Sequence, residues 1–298
     1  MKKLVSIFGM LLVLLLMIPI GTPLPTEASP MQAANIPATG AVVQGQTSVG
    51  STNWSGYAVT GSNATIVSGS WVVPPVVASG TTTSYSAAWV GIDGYSSSTV
   101  EQIGTMQEYS VTRSASGPIY YAWYEMYPSG MFELSPTAYP VKPGDTMNAT
   151  VVYDSGNEFS LTLSDSNSYS KGWKFSSDEI AGSVKQEAGT FQNSPNPVEN
   201  YDSQLFDRSS SRTQGPARSS VEWIMEAPSS GMGILPLADF GNINFSNATA
   251  SINDKSGAIN ALGTDYAITM VTNSGVTKAQ PSGLTNNGSS FSVAWEHN

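Results

Sequence analysis

An all-β domain, a sandwich or a barrel, is the fold class this sequence predicts, and three observations predict it. From Asn53 onward, short runs of β-branched and aromatic residues are punctuated by turn clusters. Around Asp154–Asn157 the apolar residues alternate with polar ones at period two, as in a strand pair with one buried face. No long stretch beyond the N-terminal apolar run carries the helical period.

In chain order, Lys2-Lys3 precede an apolar run from Leu4 to Ile20, and small residues end it at Thr26-Glu27-Ala28-Ser29. That pattern is a secretory signal peptide, residues 1–28. Residues 29–50 are rich in Ala, Pro, Gln and Gly without periodicity, and read as a linker or short pro-segment. The β domain is expected over 51–298, long enough to hold itself by its core, since the chain has no cysteine. The clearest strands are Ser70–Val73, Ala87–Ile92, Tyr120–Tyr127, Val221–Glu226 and Phe291–Trp295. A hairpin sets Met147, Ala149, Val151 and Tyr153 against Phe159, Leu161 and Leu163 across the Asp154-Ser155-Gly156-Asn157 turn. The Ser/Pro/Asn/Arg-rich stretch 192–220 reads as a long surface loop.

Composition narrows the function. Only 11% of residues are charged, against roughly 25% in ordinary globular proteins. The net charge is −10, which argues against nucleic acid or an anionic membrane as partner. Few carboxylates also means few native charge interactions to lose in acid. The single histidine, His297, is the penultimate residue, and there is no cysteine. A Cys nucleophile is excluded, and a Ser-His-Asp triad or His metal site would rest on the chain end; no metal and no cofactor is expected. Asp154-Ser155-Gly156 matches the tripeptide of pepsin-like peptidases, but no second copy exists to share a proton, and the hairpin turn explains it. If the chain is an enzyme, carboxylates, amides or hydroxyls do the chemistry.

Three segments are dense in aromatic and polar residues: Ala88–Gly94 with Val100–Gly104, Tyr120–Pro128, and Ser220–Pro228 with Leu237–Gly241. Alternation puts Val221, Trp223 and Met225 on one face and Glu222, Ile224 and Glu226 on the other. Likewise Tyr121, Trp123 and Glu125 share a face opposite Ala122, Tyr124 and Met126. A glutamate in such a run is costly unless it is paired, hydrogen-bonded or functional. The plain alternative is an aromatic core with exposed carboxylates.

The residues Asn53-Trp54-Ser55-Gly56-Tyr57, Trp89–Gly94, Gln102-x-Gly104, Ala122–Pro128, Glu222–Ile224 and Ala238–Gly241 resemble, in order, the motifs of the eqolisin glutamic peptidases, peptidase family G1. The resemblance implies an antiparallel two-sheet β-sandwich, a concanavalin A/lectin-like jelly roll with the cleft on a concave face. It implies a pepstatin-insensitive, secreted acid endopeptidase, monomeric, acting on protein or peptide substrates. The catalytic dyad falls on Glu222 and Gln102, and Trp89, Asp93, Glu125 and Tyr127 fall on cleft positions. The fungal pattern has Asp where Met106 and Tyr121 stand here, Trp where Met126 stands, and a shorter loop before Glu222; these departures resemble a bacterial-type branch.

In the mechanism this implies, ionised Glu222 takes a proton from the attacking water, the Gln102 amide donates to the oxyanion, and Glu222 then protonates the leaving amine. Working in acid would need donated hydrogen bonds that favour the ionised Glu222. Two other readings remain open: a carbohydrate-binding β-sandwich stacking sugars on Trp89, Trp123 and Tyr127, and a sandwich-fold glycoside hydrolase using Glu125 and Glu222.

Overall fold

The computed structural model describes residues 28–32, 47–112, 116–137, 139–166, 171–176 and 215–298. Nearly all of the expected signal segment and most of the 192–220 loop lie outside the described residues. Among the described residues the chain is β throughout, with two short 3₁₀ turns and no helix long and apolar enough to cross a membrane.

The strands are β1 (Thr47–Ser51), β2 (Trp54–Thr60), β3 (Ile66–Val72), β4 (Ser84–Ile92), β5 (Val100–Val111), β6 (Ser116–Tyr127), β7 (Met131–Glu133), β8 (Thr146–Ser155) and β9 (Glu158–Asp165). They continue with β10 (Lys171–Ser176), β11 (Ser220–Glu226), β12 (Ser229–Ser230), β13 (Gly233–Ile234), β14 (Asn242–Ile252), β15 (Lys255–Ala258), β16 (Thr264–Val271), β17 (Thr277–Pro281) and β18 (Phe291–Trp295). Hydrogen bonding runs in one path, β10-β9-β8-β3-β14-β18-β17-β16-β2-β11-β4-β5-β6-β7. Every neighbour pair on it is antiparallel; β1 adds to β16 in parallel.

The path folds over on itself near β17, so that β10-β9-β8-β3-β14-β18 cover β16-β2-β11-β4-β5-β6-β7. Aromatic residues cross between the layers. The Trp223 indole donates to the Ser68 carbonyl at 2.7 Å, and Trp71 donates to the Thr105 hydroxyl at 3.0 Å. Tyr57 meets Phe291 edge to face at 4.7 Å. The alternating hairpin is β8 and β9, with Met147, Ala149, Val151, Phe159, Leu161 and Leu163 all buried between the layers. In the second layer β4 and β11 are buried along their whole length. Their inner residues join the main core, whereas Trp89 and Ile224 belong to a second apolar cluster with Trp54, Met106, Tyr121 and Trp123 on the outer face.

The stretch expected to be a linker is structured at both described ends. Thr47–Ser51 is a strand, and Ala28–Gln32 packs on the outer face of the second layer. Polar partners elsewhere in the chain order it, and no local periodicity announces them.

Candidate active site

Strand register builds the site. One row of residues crosses the outer face of the second layer: Tyr266 on β16, Ala58 on β2, Glu222 on β11, Gly91 on β4, Gln102 on β5, Glu125 on β6 and Met131 on β7. The adjoining row contains Ile224, Trp89, Gly104 and Trp123, and the next Trp54, Glu226, Ala87, Met106 and Tyr121. Three predicted site residues, Glu222, Gln102 and Glu125, thus fall in register on four neighbouring strands. The strand between Glu222 and Gln102 contributes Gly91, where there is no room for a side chain. A Cβ there would stand 3.1 Å from Gln102 Cβ and 3.0 Å from the Trp89 ring.

The acids in and next to the Glu222 row on β11 and β6 are not exposed. Glu222, Glu125, Glu226 and Gln102 all have zero accessibility, so the plain alternative of a solvated carboxylate face does not hold. Gln102 spends both amide hydrogens: Nε2 donates to Glu125 Oε2 at 3.0 Å and to the carbonyl of Ala28 at 3.0 Å. With two oxygen acceptors facing it, that nitrogen can only be the NH₂ end. Glu125 therefore holds the Gln102 amide so that its second hydrogen points at a main-chain carbonyl lying in the cleft.

Glu222 behaves differently from the expectation that donated hydrogen bonds favour its ionised form. Burial holds its carboxyl well above the usual range, and the charges of Asp93 and Glu101 push the same way. The weak approaches of the Ser220 hydroxyl and the Tyr95 main chain pull down and are outweighed. No well-formed hydrogen bond reaches either carboxylate oxygen among the described residues. The sequence places this glutamate in a mid-strand run of large apolar residues; the two-layer burial of β11, which only the fold supplies, disfavours its charged form.

Trp89 lies one row from the dyad, edge-on to Trp54 at 4.9 Å, and its indole donates to Glu226 Oε2 at 2.8 Å. Both Trp89 and Trp123 are fully buried, so neither offers an open stacking platform in this state. Asp93 stands apart from the row. Its carboxylate accepts from the main chain of Arg218 (2.6 Å) and Ser219 (2.8 Å) and from the Ser219 hydroxyl (3.0 Å). It has positive φ (72°) and clamps the residues that lead into β11. Tyr127 is half-buried at the end of β6 against the outer cluster.

Three features carry no role in the sequence reading: Gly91, Glu226 and Asn53. Glu226 shares the Glu222 face four residues on, so alternation does mark it. Burial pushes it up to about 8 against the hydrogen bonds from Ser29, Trp89, Trp54 and Asn53. Asn53 accepts from the Gln32 amide at 2.8 Å and donates to the Pro30 carbonyl at 3.2 Å. Among the described residues no group of three or more His, Cys, Asp or Glu could hold a metal ion.

The Peptidase A4 family model matches residues 52–295. The chain belongs to the Peptidase A4 family. Aspergillopepsin-2 of Aspergillus niger is 26% identical over 220 residues, which span 67% of this chain and 64% of that protein's length. The crystal structure of scytalido-glutamic peptidase with a transition state analog inhibitor aligns with a TM-score of 0.58 at 20% identity, over 82% of this chain and 98% of that one. The aspergilloglutamic peptidase from Aspergillus niger aligns with a TM-score of 0.50 at 20% identity, over 72% and 99%. These structural likenesses show a common fold.

In this Peptidase A4 member, two positions singled out by the sequence comparison lie together. Met106 and Tyr121 are cross-strand partners on β5 and β6, both in the outer apolar cluster. Here a thioether and a phenol ring face each other across the two strands.

Proposed function

We propose that this chain is a secreted, pepstatin-insensitive acid endopeptidase that hydrolyses peptide bonds of proteins with Glu222 and Gln102 as its dyad. The observation that carries the reading is the Gln102 amide, fixed by Glu125 and donating to a main-chain carbonyl, in the same row as Glu222 with Gly91 between them. A peptide carbonyl in that seat is the group such an enzyme must polarise.

In the open cleft, water restores hydration to Glu222, and the Ser220 and Tyr95 approaches then help its ionised form. Glu222 takes the proton of the water that attacks the carbonyl carbon. Gln102 Nε2 donates to the developing oxyanion, an effect worth about 2.7–4 kcal/mol per donor. The neutral Glu222 is the form favoured when a chain covers the site, and it hands its proton to the leaving nitrogen. Asp93 and Glu125 are positioning residues: one fixes the entry to β11, the other the amide of Gln102.

The glycoside hydrolase reading fares less well. Glu125 and Glu222 are three strands apart, about 14 Å between main chains at ordinary strand spacing, and Glu125 already serves Gln102. The test is hydrolysis of an unfolded protein near pH 3 with pepstatin present. Wild type is expected to be active, Glu222→Gln inactive, and Gln102→Ala slowed by about 10²–10³-fold in kcat. Full activity in either variant would sink the dyad.

A further inference from the structure

A cavity of about 420 Å³ opens at the end of β16, with Leu235, Pro236, Val271, Asn273, Lys278 and Asn298 in its wall. Tyr266 lies in the dyad row, and Val271 is five residues further along the same strand, about 17 Å at ordinary strand rise. The cavity is therefore separate from the candidate active site, and its size is that of a small-molecule site. Strand register puts a lysine in it. Met270 pairs with Ala279 and Val271 with Thr277, so Lys278 is the extra residue of a bulge between β16 and β17. A bulge re-aims the side chain that it carries. Ala279 enters the main core, while Lys278 lines the cavity. Its carbonyl accepts from the amides of Glu296 at 2.8 Å and His297 at 3.1 Å, which fixes the strand and leaves the side chain over.

Lys278 is only 8% exposed. Neither the neighbouring Glu296 nor any other carboxylate among the described residues is within ion-pair distance of it, and no acceptor among them takes a hydrogen bond from its Nζ. A buried ammonium without a partner is costly, and burial accordingly holds Lys278 below its usual pKa. The other polar groups of the wall are mostly engaged. The Thr272 hydroxyl accepts from the Val276 amide at 3.0 Å and pairs with the Ser274 hydroxyl at 2.9 Å. The Asn298 side chain accepts from the Leu237 amide at 2.8 Å and donates to Ser79 at 3.3 Å. The Thr52 hydroxyl donates to the Gln32 carbonyl at 3.3 Å. What remains is one cation and the exposed Asn273, facing the aliphatic surface of Ile234, Leu235, Pro236 and Val271.

We propose that this cavity binds a carboxylate carried on a compact aliphatic group, the chemistry shared by the C-terminus of a peptide ending in leucine and by a free branched-chain acid. The carboxylate sits on the Lys278 ammonium and the aliphatic group on Leu235 and Val271. The wall selects that ligand. One ammonium, with no arginine fork and no second lysine beside it, matches a single negative charge. A phosphate dianion would bring more acceptors than the wall has donors, into a chain of net charge −10. An uncharged apolar ligand would fill the cavity and leave Nζ unpaired. A carboxylate does neither: it favours the charged lysine that burial alone disfavours, and its aliphatic group covers the apolar wall. Binding here does not depend on the peptidase reading. Where that reading holds, every hydrolysis makes a new C-terminal carboxylate, so the products of the cleft carry the group that this second site takes.

The test is calorimetric titration of the full chain at about pH 6, where a carboxylic acid is ionised. The probes are N-acetyl-alanyl-leucine, its C-terminal amide, and 3-methylbutanoate. The peptide acid is expected to bind about ten-fold or more tighter than its amide, the scale of one charge-assisted hydrogen bond. Lys278→Met is expected to weaken the acid by a similar factor while its unfolding temperature equals or exceeds that of the wild type, since an unpaired buried charge is removed. Equal affinity for acid and amide, or wild-type affinity in Lys278→Met, would overturn the proposal. Tighter binding of the peptide acid than of 3-methylbutanoate assigns the site to peptide C-termini, and equal binding assigns it to the free acid; both keep the carboxylate site. Should Lys278→Met fail to fold, reductive methylation of the wild-type chain decides: the peptide acid is expected to slow methylation of Lys278 several-fold and the amide to leave it unchanged, and equal rates would count against the site. A chain that binds the acid but cleaves no protein near pH 3 keeps this site and loses the peptidase reading.

Discussion

At the scale of single residues, the informative atom is the side-chain nitrogen of Gln102, because its two hydrogens are divided between Glu125 and a peptide carbonyl. An amide is a good choice for this position, since its donor is neutral at every pH at which the carboxyls around it change state. Removing the anchor should misorient the donor without removing it. Glu125→Ala is expected to lower kcat by about 10–100-fold, less than the 10²–10³-fold for outright loss of an oxyanion donor, with KM little changed; steady-state kinetics near pH 3 check this. An unchanged kcat would show that Gln102 is oriented by other groups. Gly91 makes the complementary argument. Its Cβ would meet Gln102, Trp89 and the Glu101 carbonyl at 3.0–3.1 Å, close enough to press on the dyad yet small enough to fold around. Gly91→Ala is expected to cut kcat/KM by more than ten-fold, roughly 1.4 kcal/mol or more of transition-state stabilisation, while the unfolding temperature moves only slightly. Loss of stability with retained activity would reverse that assignment. Of the six predicted site residues, Glu222, Gln102 and Glu125 are brought into one row, Trp89 lies beside it, and Asp93 and Tyr127 lie at its margin.

At the scale of elements, central strands that are buried on both faces decide what the site can be. Alternation along β11 and β6 is legible in the sequence, and the observed faces follow it residue by residue: Trp223 and Tyr124 enter the main core, Ile224 and Trp123 the outer cluster. Pairing between strands is not legible in that way. Gly104 shows the difference. It follows Gln102 by two, as in the motif, but the reason is that it lies between Trp89 and Trp123 in the adjoining row. A Cβ at Gly104 would come within 2.2 Å of the Ala88 carbonyl oxygen and 2.6 Å of Trp89 Cβ. Backbone cannot yield as a flexible side chain can, so Gly104→Ala is expected to destabilise the fold by about 1–3 kcal/mol or more, measured by denaturant unfolding. A wild-type midpoint would mean that β4 and β5 can separate without cost.

At the scale of the whole molecule, the low charge count and the two-layer burial combine into an inverted pH dependence. Glu226 is raised from 4.5 to about 8, and Glu101 and Glu222 well above 4.5, in each case chiefly by burial. For such groups the folded state holds more protons than the unfolded chain between the two values, so stability falls as pH rises. It is fully present below about pH 4.5 and declines toward pH 8, by up to about 1.4 kcal/mol per pH unit for each group that remains protonated. The full chain is therefore expected to show its highest unfolding temperature in acid and a lower one at neutral pH. Glu226→Gln should flatten part of the slope. A profile that rises from pH 4 to pH 8 would contradict the burial of these carboxyls. The composition alone suggests acid tolerance through having few charges to lose; the fold adds that the retained acids are placed where protonation helps.

The β class, the hairpin around Asp154–Asn157, the two faces of β6 and β11, and the short set of residues able to do chemistry are determined by the sequence itself, because alternation and residue type are local properties of a chain. The row from Glu222 through Gly91 and Gln102 to Glu125, the pairing of Met106 with Tyr121, the upward shift of the buried Glu101, Glu222 and Glu226 carboxyls and the packing of Ala28–Gln32 were decided only by the tertiary structure. Each depends on which strands become neighbours and on what is removed from water when the sheet folds over, and neither is written in any single stretch of residues.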